Sequence, residues 1–274
     1  MTKKDIYTPL KEKSLEIRRT VLKMIVEGTS SHIGSSYSII ELLVYLYANI
    51  LKIDPHNPTD PDRDRFVLSK GWAISALYAV LSDKGFFSKK LLDEYCKDGS
   101  KMIGGSTKND IPGVEATTTS MGHGLPLGVG MALAGKLQKR KYRVVVIMGD
   151  GESDEGSTWE AIMQAAHNKL DNLLVIVDSN KWQSFGRPSE VLNLEPLGDK
   201  WKAFNWEVKQ CDGHDFAEIE KSLKEIPFAT GKPSVLIAHT TKGKGVSILE
   251  DKNEWHYKTP RGEERVIAEK ELGL

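Results

Sequence analysis

Short apolar runs alternate along the chain with segments in which apolar residues recur at helical spacing. The apolar runs, rich in β-branched residues, predict buried strands at residues 65–69, 143–148, 173–177, 206–210 and 234–239. The helical spacing predicts helices at residues 10–26, 36–51, 72–83 and 216–223, and a further helix with an acidic first turn beginning near Asp154 and Glu155. Apolar strands that alternate with helices indicate a three-layer α/β/α fold with a mostly parallel sheet.

The composition excludes several kinds of protein. Lysine plus arginine and aspartate plus glutamate both number 38, so the formal net charge is zero, which disfavours a nucleic-acid or anionic-membrane binder. No apolar run approaches the roughly 18 residues of a membrane span, and the first residues lack the apolar segment of a secretory signal. Cys96 and Cys211 form no CxxC pair, so we expect reduced, structural thiols. We expect a cytoplasmic protein with a single domain, residues 1–274.

Two of the predicted strands end in unusually polar segments. GDGESDEG, residues 149–156, follows the second strand, and DSNKW, residues 178–182, follows the third. Because neighbouring parallel strands place their carboxyl ends at one edge of a sheet, we expect Asp150 and Asn180 to lie close together. Their oxygens suit a hard cation, Mg²⁺ or Ca²⁺, and the glycines and the helix start suit a phosphate. GDG alone is also a common tight turn, so the second strand end is what favours a site.

These segments belong to a wider pattern. GDGESDEG followed by DSN resembles the thiamin diphosphate motif, in which GDG is followed by an asparagine. Other segments are similar to the N-terminal half of transketolases, in the family's order and spacing: SHIGS at 31–35, RDRFVLSKG at 63–71, PGVEATTTSMGHGLPLGVGMALA at 112–134 and DGHD at 212–215. The resemblance covers essentially the whole chain. It implies the thiamin diphosphate-binding fold, with thiamin diphosphate and a divalent metal ion as cofactors.

The resemblance also implies roles for individual residues. Asp150, Asn180 and the main-chain carbonyl of Trp182 match metal ligands, and the N–H of Gly151 matches a diphosphate-binding group. Glu155 matches an acidic residue that links two active sites across a dimer interface. The residues that match the lining of the pyrimidine and thiazolium rings are Thr119, Ser120 and Met121.

Two histidines match functional positions of the family. The resemblance implies that His32 and His256 lie near the substrate and the cofactor, where imidazole can steer hydroxyl groups or move protons. His256 falls in a loop, residues 242–257, that is expected to cover the site. We expect the other histidines considered to be ordinary polar surface residues, namely His56, His167, His214 and His239.

At two positions the sequence departs from the family pattern. Trp72 and Gly105 stand where transketolases have histidines that contact the cofactor and the ketose donor. Their loss removes partners for sugar hydroxyl groups, and an unpaired hydroxyl in an apolar pocket is costly. Trp72 instead offers the cofactor-binding site a large apolar face, which suits a smaller donor such as a 2-oxo acid, although it is also consistent with ordinary packing.

The resemblance implies that this chain holds half of an active site. In the family, the glutamate that protonates the aminopyrimidine lies in a second, pyrimidine-binding domain, and the sequence contains no such segment. We therefore expect a separate pyrimidine-domain partner subunit in an α2β2 assembly. The expected function is transfer of a two-carbon ketol or acyl unit to an aldehyde or ketone. The alternatives are a decarboxylating carboligase that uses pyruvate or another 2-oxo acid, and a non-catalytic subunit that retains the fold.

Overall fold

The apolar runs form one parallel sheet at the centre of the molecule. We describe a computed structural model of the chain over residues 5–109 and 111–274. Its five strands lie in the order β1-β2-β3-β5-β4, and every pairing is parallel. The strands are β1 (Arg65–Leu68), β2 (Val144–Gly149), β3 (Leu173–Ser179), β4 (Glu207–Asp212) and β5 (Ser234–His239). The predicted α/β class and parallel sheet are confirmed.

Helices cover both faces of this sheet. The helices are α1 (Thr8–Glu27), α2 (Ile33–Tyr37), α3 (Ile40–Tyr45), α4 (Ile74–Lys84), α5 (Gly124–Leu137), α6 (Gly156–His167), α7 (Pro188–Val191), α8 (Leu197–Ala203), α9 (Phe216–Leu223) and α10 (Glu263–Leu272). None of the helices within the described ranges is long and apolar enough to cross a membrane.

Alternation along each strand divides the core into two layers. Val145 and Ile147 of β2 join a cluster that includes residues of α1, α3, α4 and α9. Val144 and Val146 of the same strand join the opposite cluster with α5, α6 and α8. Successive side chains of a strand point to opposite faces, so a strand that is apolar throughout must be covered on both sides. The carboxyl ends of the strands remain free of this packing and carry the polar residues.

The helix predicted at residues 36–51 is instead three pieces. α2 and α3 are followed by a turn of π-helix, Leu46–Ile50. At the junction between α2 and α3, the Ser38 hydroxyl donates to the Ser35 carbonyl at 3.0 Å and lies 2.7 Å from Asp178 at the end of β3. A polar anchor to the sheet therefore fixes the chain where apolar periodicity alone predicts a continuous helix.

The helix after β2 begins later than predicted. Residues Asp150–Asp154 form a 3-10 turn, and α6 starts at Gly156 with no acidic residue in its first turn. The prediction of an acidic first turn starting at Asp154 and Glu155 is therefore wrong. The acidic residues lie before the helix because the backbone turns there to bring Asp150 towards β3.

Candidate active site

Asp150 and Asn180 lie at neighbouring strand ends, as predicted. Gly149 of β2 pairs with Asp178 of β3, so the two segments leave the sheet side by side. The Asp150 carboxylate accepts the N–H of Gly151 at 2.8 Å and the N–H of Lys181 at 3.0 Å. The second of these bonds joins the two segments directly. Both residues are buried, so this edge of the sheet is largely withdrawn from water.

The charge of Asp150 is poorly compensated. Burial and, to a smaller extent, the neighbouring charge of Asp178 raise the pKa of its carboxyl to about 7. A divalent cation would remove this penalty, and carboxylate, amide and carbonyl oxygens are suitable donors for Mg²⁺. Within residues 5–109 and 111–274 there is no cluster of three or more His, Cys, Asp or Glu able to hold a metal ion. Mg²⁺ is commonly held by one or two protein groups together with phosphate oxygens, and the oxygens of Asp150 and Asn180 fit that pattern.

The backbone around Gly151 and Trp182 is tightly packed. A Cβ atom on Gly151 would lie 2.9 Å from the Cγ of Gln183, so a larger residue would displace that side chain. The N–H of Trp182 donates to the Asn180 side-chain oxygen at 3.0 Å, and the indole stands outside, bonded to Asp251 at 2.8 Å. The Trp182 backbone is thus next to the amide oxygen of Asn180.

A buried ion pair that sequence reasoning missed supports this site. The Lys70 ammonium contacts the fully buried Asp178 carboxylate, which also accepts from the Asn180 amide at 2.9 Å. Burial alone would raise the pKa of Asp178, but the charge of Lys70 and the hydrogen bonds outweigh it and hold that pKa below its usual value. Asp178 therefore holds Asn180 and Lys70 in place at the end of β3.

Lys242 is a second missed cation. It is fully buried, and its ammonium donates to His256 Nδ1 at 3.0 Å and to the Asn253 side-chain oxygen at 3.1 Å. Burial and, to a smaller extent, the charge of Lys70 lower its pKa to about 8. The motif TKGKG, residues 241–245, contains this lysine, but its polar composition gives no indication that one lysine is buried and the other is not.

Aromatic rings form one wall of the site. The His32 imidazole stacks on Trp72 with centroids 5.0 Å apart, and meets His256 edge-on at 4.9 Å and Tyr257 at 5.6 Å. Trp72 is 46% exposed. A cavity of about 700 Å³ opens here, lined by residues that include His32, Trp72, Tyr95, Cys96, Tyr257 and Arg261. The structure thus brings together His32, Trp72 and His256.

Both histidines of this wall are neutral. Burial, together with the positive charges of Lys242 and Lys70, lowers the pKa of His32 to about 4 and contributes to lowering that of His256 to about 3. The Lys242 ammonium donates to Nδ1 of His256, so that nitrogen is an acceptor. Neutral imidazoles can accept and donate hydrogen bonds near pH 7 without repelling the two lysines.

The lowered pKa of His32 makes folding stability depend on pH. An unfolded histidine takes up a proton near pH 6.5 and folded His32 does not, so stability decreases as the pH falls from 7 to 5. His32→Asn is suited to the left-handed backbone at this position, φ 69°. We expect the free energy of unfolding of this variant to fall by about 1–2 kcal/mol less than wild type over that range, as measured by urea denaturation. Exposed His167→Asn is the control, and equal slopes for His32→Asn and wild type would refute the assignment.

The three residues matched to the cofactor rings lie in the loop before α5. Ser120 is exposed, Met121 is 51% exposed, and the Thr119 hydroxyl donates to the Ser106 carbonyl at 3.2 Å. A Cβ atom on Gly105 would lie 2.8 Å from the Thr119 methyl group. Thr119 therefore occupies the space that a side chain at position 105 would need, which gives a physical reason for glycine there.

Two further acidic residues of the segment GDGESDEG, Glu152 and Glu155, lie in different environments. Glu155 is partly exposed at the N-cap position of α6. Glu152 is buried, accepts the N–H of Gly122 at 2.9 Å and contacts the Ser69 hydroxyl, and burial raises its pKa to about 7. Sequence reasoning missed Glu152, which connects the end of β1 to the loop before α5.

The prediction for His214 is wrong. Rather than lying on the polar surface, its side chain is only 12% exposed and is 2.9 Å from a Glu41 carboxylate oxygen. His56, His167 and His239 are exposed, as predicted. The loop after β4 packs against the loop that follows β5, and no pattern in the local sequence predicts this burial of His214.

An open parallel sheet with a buried carboxylate, an amide and two lysines at its carboxyl edge defines an α/β protein with a site suited to an anionic cofactor. Residues 11–274 match the family model described as transketolase, thiamine diphosphate binding domain. The chain therefore belongs to the transketolase family, and the expected resemblance and fold are confirmed.

Relatives with curated names include separate subunits. The chain is 40% identical over 255 residues to a subunit of the apulose-4-phosphate transketolase of Phocaeicola vulgatus, covering 93% of this chain and 90% of that protein. It is 44% identical over 240 residues to a 6-deoxy-6-sulfo-D-fructose transketolase subunit of a Clostridium species, covering 88% and 87%. Human transketolase is 35% identical over 251 residues, which are 91% of this chain and 40% of that protein.

Solved transketolase structures share the fold. The Campylobacter jejuni enzyme superposes with a TM-score of 0.91 at 32% identity, over 97% of this chain and 43% of that chain. The Leishmania mexicana enzyme gives 0.90 at 27% identity, over 96% of this chain and 41% of that chain. The chain thus spans about two-fifths of the length of these transketolases.

Proposed function

We propose that this chain is the diphosphate-binding subunit of a thiamin diphosphate-dependent, transketolase-like enzyme. The enzyme transfers a two-carbon ketol or acyl unit from a donor to an aldehyde or ketone acceptor. The observation that carries the proposal is the burial of Asp150 and Asn180 at neighbouring strand ends, which the bond from the Lys181 N–H to Asp150 joins, in a chain of the transketolase family. A non-catalytic subunit would have no physical need for a buried, poorly compensated carboxylate.

The metal ion and the diphosphate are assigned to different residues at the carboxyl ends of β2 and β3. We assign Asp150, the Asn180 amide oxygen and the Trp182 carbonyl to a divalent ion, Mg²⁺ or Ca²⁺, and the Gly151 N–H to the diphosphate. Lys70 and Lys242 supply positive charge beside these groups, because each lysine lies close enough to Asp150 for their charges to interact. When bound, thiamin diphosphate supplies an electron sink for the two-carbon unit.

Other residues of the chain shape the reaction space. Neutral His32 and His256 steer substrate hydroxyl groups or proton transfers. His32 lines the cavity, and the His256 ring meets His32 edge-on with centroids 4.9 Å apart, which supports these roles. Thr119, Ser120 and Met121 lie along the cofactor rings. Glu155, partly exposed at the start of α6, relays protons towards a second site of the assembly.

The rest of the active site comes from a partner subunit. Relatives of similar length are named as single subunits of transketolases, and the chain covers only 40% of full-length transketolase. The glutamate that acts on the cofactor pyrimidine belongs to a pyrimidine-domain subunit in this proposal. We propose an α2β2 assembly, in which each site lies between unlike subunits.

The substrates are anionic sugars in this proposal. The curated names of two relatives specify a sugar phosphate and a sulfo-sugar. In this chain Arg261 and Lys258, the latter paired with Glu264, line the cavity beside His32, so Arg261 adds positive charge to the aromatic wall.

Trp72 is expected to restrict the donor. Replacing it with histidine restores a hydrogen-bonding group beside His32, so Trp72→His is expected to raise kcat/KM for the unbranched ketose xylulose 5-phosphate by about 2- to 10-fold, corresponding to 0.5–1.5 kcal/mol per hydrogen bond. The measurement compares this donor with the enzyme's preferred donor, with Trp72→Phe as the control for packing. If both variants lose activity equally on both donors, Trp72 is a packing residue.

Reconstitution tests the proposed function. The chain, a pyrimidine-domain partner, Mg²⁺ and thiamin diphosphate should together convert a ketose phosphate and an aldehyde, whereas neither chain by itself should do so. Carbon dioxide release from pyruvate, with no turnover of ketoses, would instead support the carboligase, which the replacement of two histidines by Trp72 and Gly105 favours. Absence of cofactor binding in the assembled complex would leave only a non-catalytic role.

A further inference from the structure

A buried charged network lies beneath the candidate active site. Arg18 of α1 and Glu41 of α3 form an ion pair at 2.6 Å, and both side chains are less than 10% exposed. The second carboxylate oxygen of Glu41 is 2.9 Å from Nδ1 of His214, in the loop between β4 and α9. Burial would raise the pKa of Glu41, but Arg18 and His214 outweigh it and hold the pKa below its usual value. Three elements far apart in the sequence therefore meet in one network.

The hydrogen bonds determine how His214 is used. Its Nε2 accepts the backbone N–H of Thr241 at 2.8 Å, so the ring proton lies on Nδ1 and is donated to Glu41. An imidazole oriented in this way by a carboxylate has a single possible acceptor direction. That direction is towards the loop that follows β5.

The same network makes two hydrogen bonds to the loop that follows β5. Besides the Thr241 contact, the Arg18 guanidinium donates through Nε to the carbonyl of Lys244 at 2.7 Å. Between these two contacts lies Lys242, whose stem packs against Gly34. A Cβ atom on Gly34 would lie 3.0 Å from the Lys242 Cγ, and the N–H of Gly243 donates to the Gly34 carbonyl at 3.0 Å. The backbone on both sides of Lys242 is therefore fixed by one ion-paired cluster.

We propose that Arg18, Glu41 and His214 form a positioning network that holds the Lys242 ammonium against the cofactor site. The proposal rests on the proposed function, because it concerns the affinity of the same site for thiamin diphosphate. The hydrogen bonds of His214 go to Glu41 and Thr241, not to Asp150, Asn180 or Trp182, so His214 acts through Thr241. Without the network, Lys242 would still be present, but its buried ammonium would no longer be directed towards His256 and the strand ends.

Two substitutions of His214 separate its two hydrogen bonds. His214→Asn places its amide near the position of Nδ1, so it keeps a donor to Glu41 and leaves the Thr241 N–H unpaired. His214→Gln places its amide near Nε2 and retains an acceptor for Thr241. The Kd for thiamin diphosphate at saturating Mg²⁺ is measured by calorimetry on the complex with the partner subunit. We expect His214→Asn to raise this Kd by about 10-fold or more, as the loss of supporting partners around bound groups typically does, and His214→Gln to bring it back towards wild type.

A double-mutant cycle distinguishes positioning from general stability. If His214 acts through Lys242, His214→Asn should cause no further loss of affinity in a Lys242→Met background. Asp64→Asn, which disrupts the buried Arg143–Asp64 pair at the other end of the sheet, is the control and should lower the melting temperature without changing the Kd. Additive losses from His214→Asn and Lys242→Met, or an unchanged Kd for His214→Asn, would overturn the proposal. If wild type itself does not bind thiamin diphosphate, the proposed function fails instead.

Discussion

Asp150→Ala is expected to abolish Mg²⁺-dependent binding of thiamin diphosphate, raising the Kd by about 100-fold or more, because replacing even the supporting partners of a metal ligand costs 10- to 100-fold. The substitution removes the only carboxylate assigned to the metal ion. It also removes the acceptor of the Gly151 and Lys181 N–H groups, which holds the two strand ends together. Calorimetry with and without Mg²⁺, on the complex with the partner subunit, measures the effect.

A matched control separates this effect from a change in net charge. Asp199, exposed in the first turn of α8, can be replaced by alanine with no change expected in Kd. Equal heats of binding for Asp150→Ala and wild type would contradict the assignment of the metal and would favour a non-catalytic subunit.

Lys70→Met is expected to lower the free energy of unfolding by about 3–5 kcal/mol, the usual cost of leaving one charge of a buried pair without its partner. The Asp178 carboxylate is fully buried and the Lys70 side chain is 9% exposed, so water cannot replace the lost ammonium. Because the pKa of folded Asp178 lies below its usual value, the loss is present at pH 7 and diminishes as the pH falls below about 4. Urea denaturation of wild type and Lys70→Met at pH 7 and at a pH below about 4 measures this loss.

A partly exposed pair supplies the comparison for Lys70. The ion pair of Lys136 and Asp171 is 35% and 25% exposed, and Lys136→Met should cost less than about 1 kcal/mol. A loss for Lys70→Met no larger than that for Lys136→Met would show that the Lys70–Asp178 pair does not hold the end of β3.

The strand ends could be predicted because they depend on local information. A β-branched run followed by glycine and acid marks the end of a buried strand, and one crossover helix makes β2 and β3 neighbours. Asp150 and Asn180 could therefore be brought together from sequence alone. The bounds predicted for the strand at residues 234–239 and the helix at residues 216–223 are those that the structure shows, since turn residues flank both.

The supporting charges could not be predicted because their burial depends on distant parts of the chain. Lys242 is buried by its approach to Gly34, about 200 residues earlier in the sequence, and His214 is buried by α3. In the sequence both residues occupy polar, glycine-containing segments that are typical of exposed loops. Likewise, the break between α2 and α3 follows from the bond between Ser38 and Asp178, which no periodicity within residues 36–51 contains.

The central claim is that one divalent cation is held jointly by the ends of β2 and β3 and by the cofactor diphosphate. The most direct test is a crystal structure of the chain with its partner subunit, thiamin diphosphate and Mn²⁺, in which anomalous scattering locates the metal. The account predicts a single peak within coordination distance, roughly 2.0–2.3 Å, of oxygen atoms of Asp150, Asn180, the Trp182 carbonyl and the diphosphate. A peak elsewhere, or a bound cofactor with no metal between these residues, would contradict it.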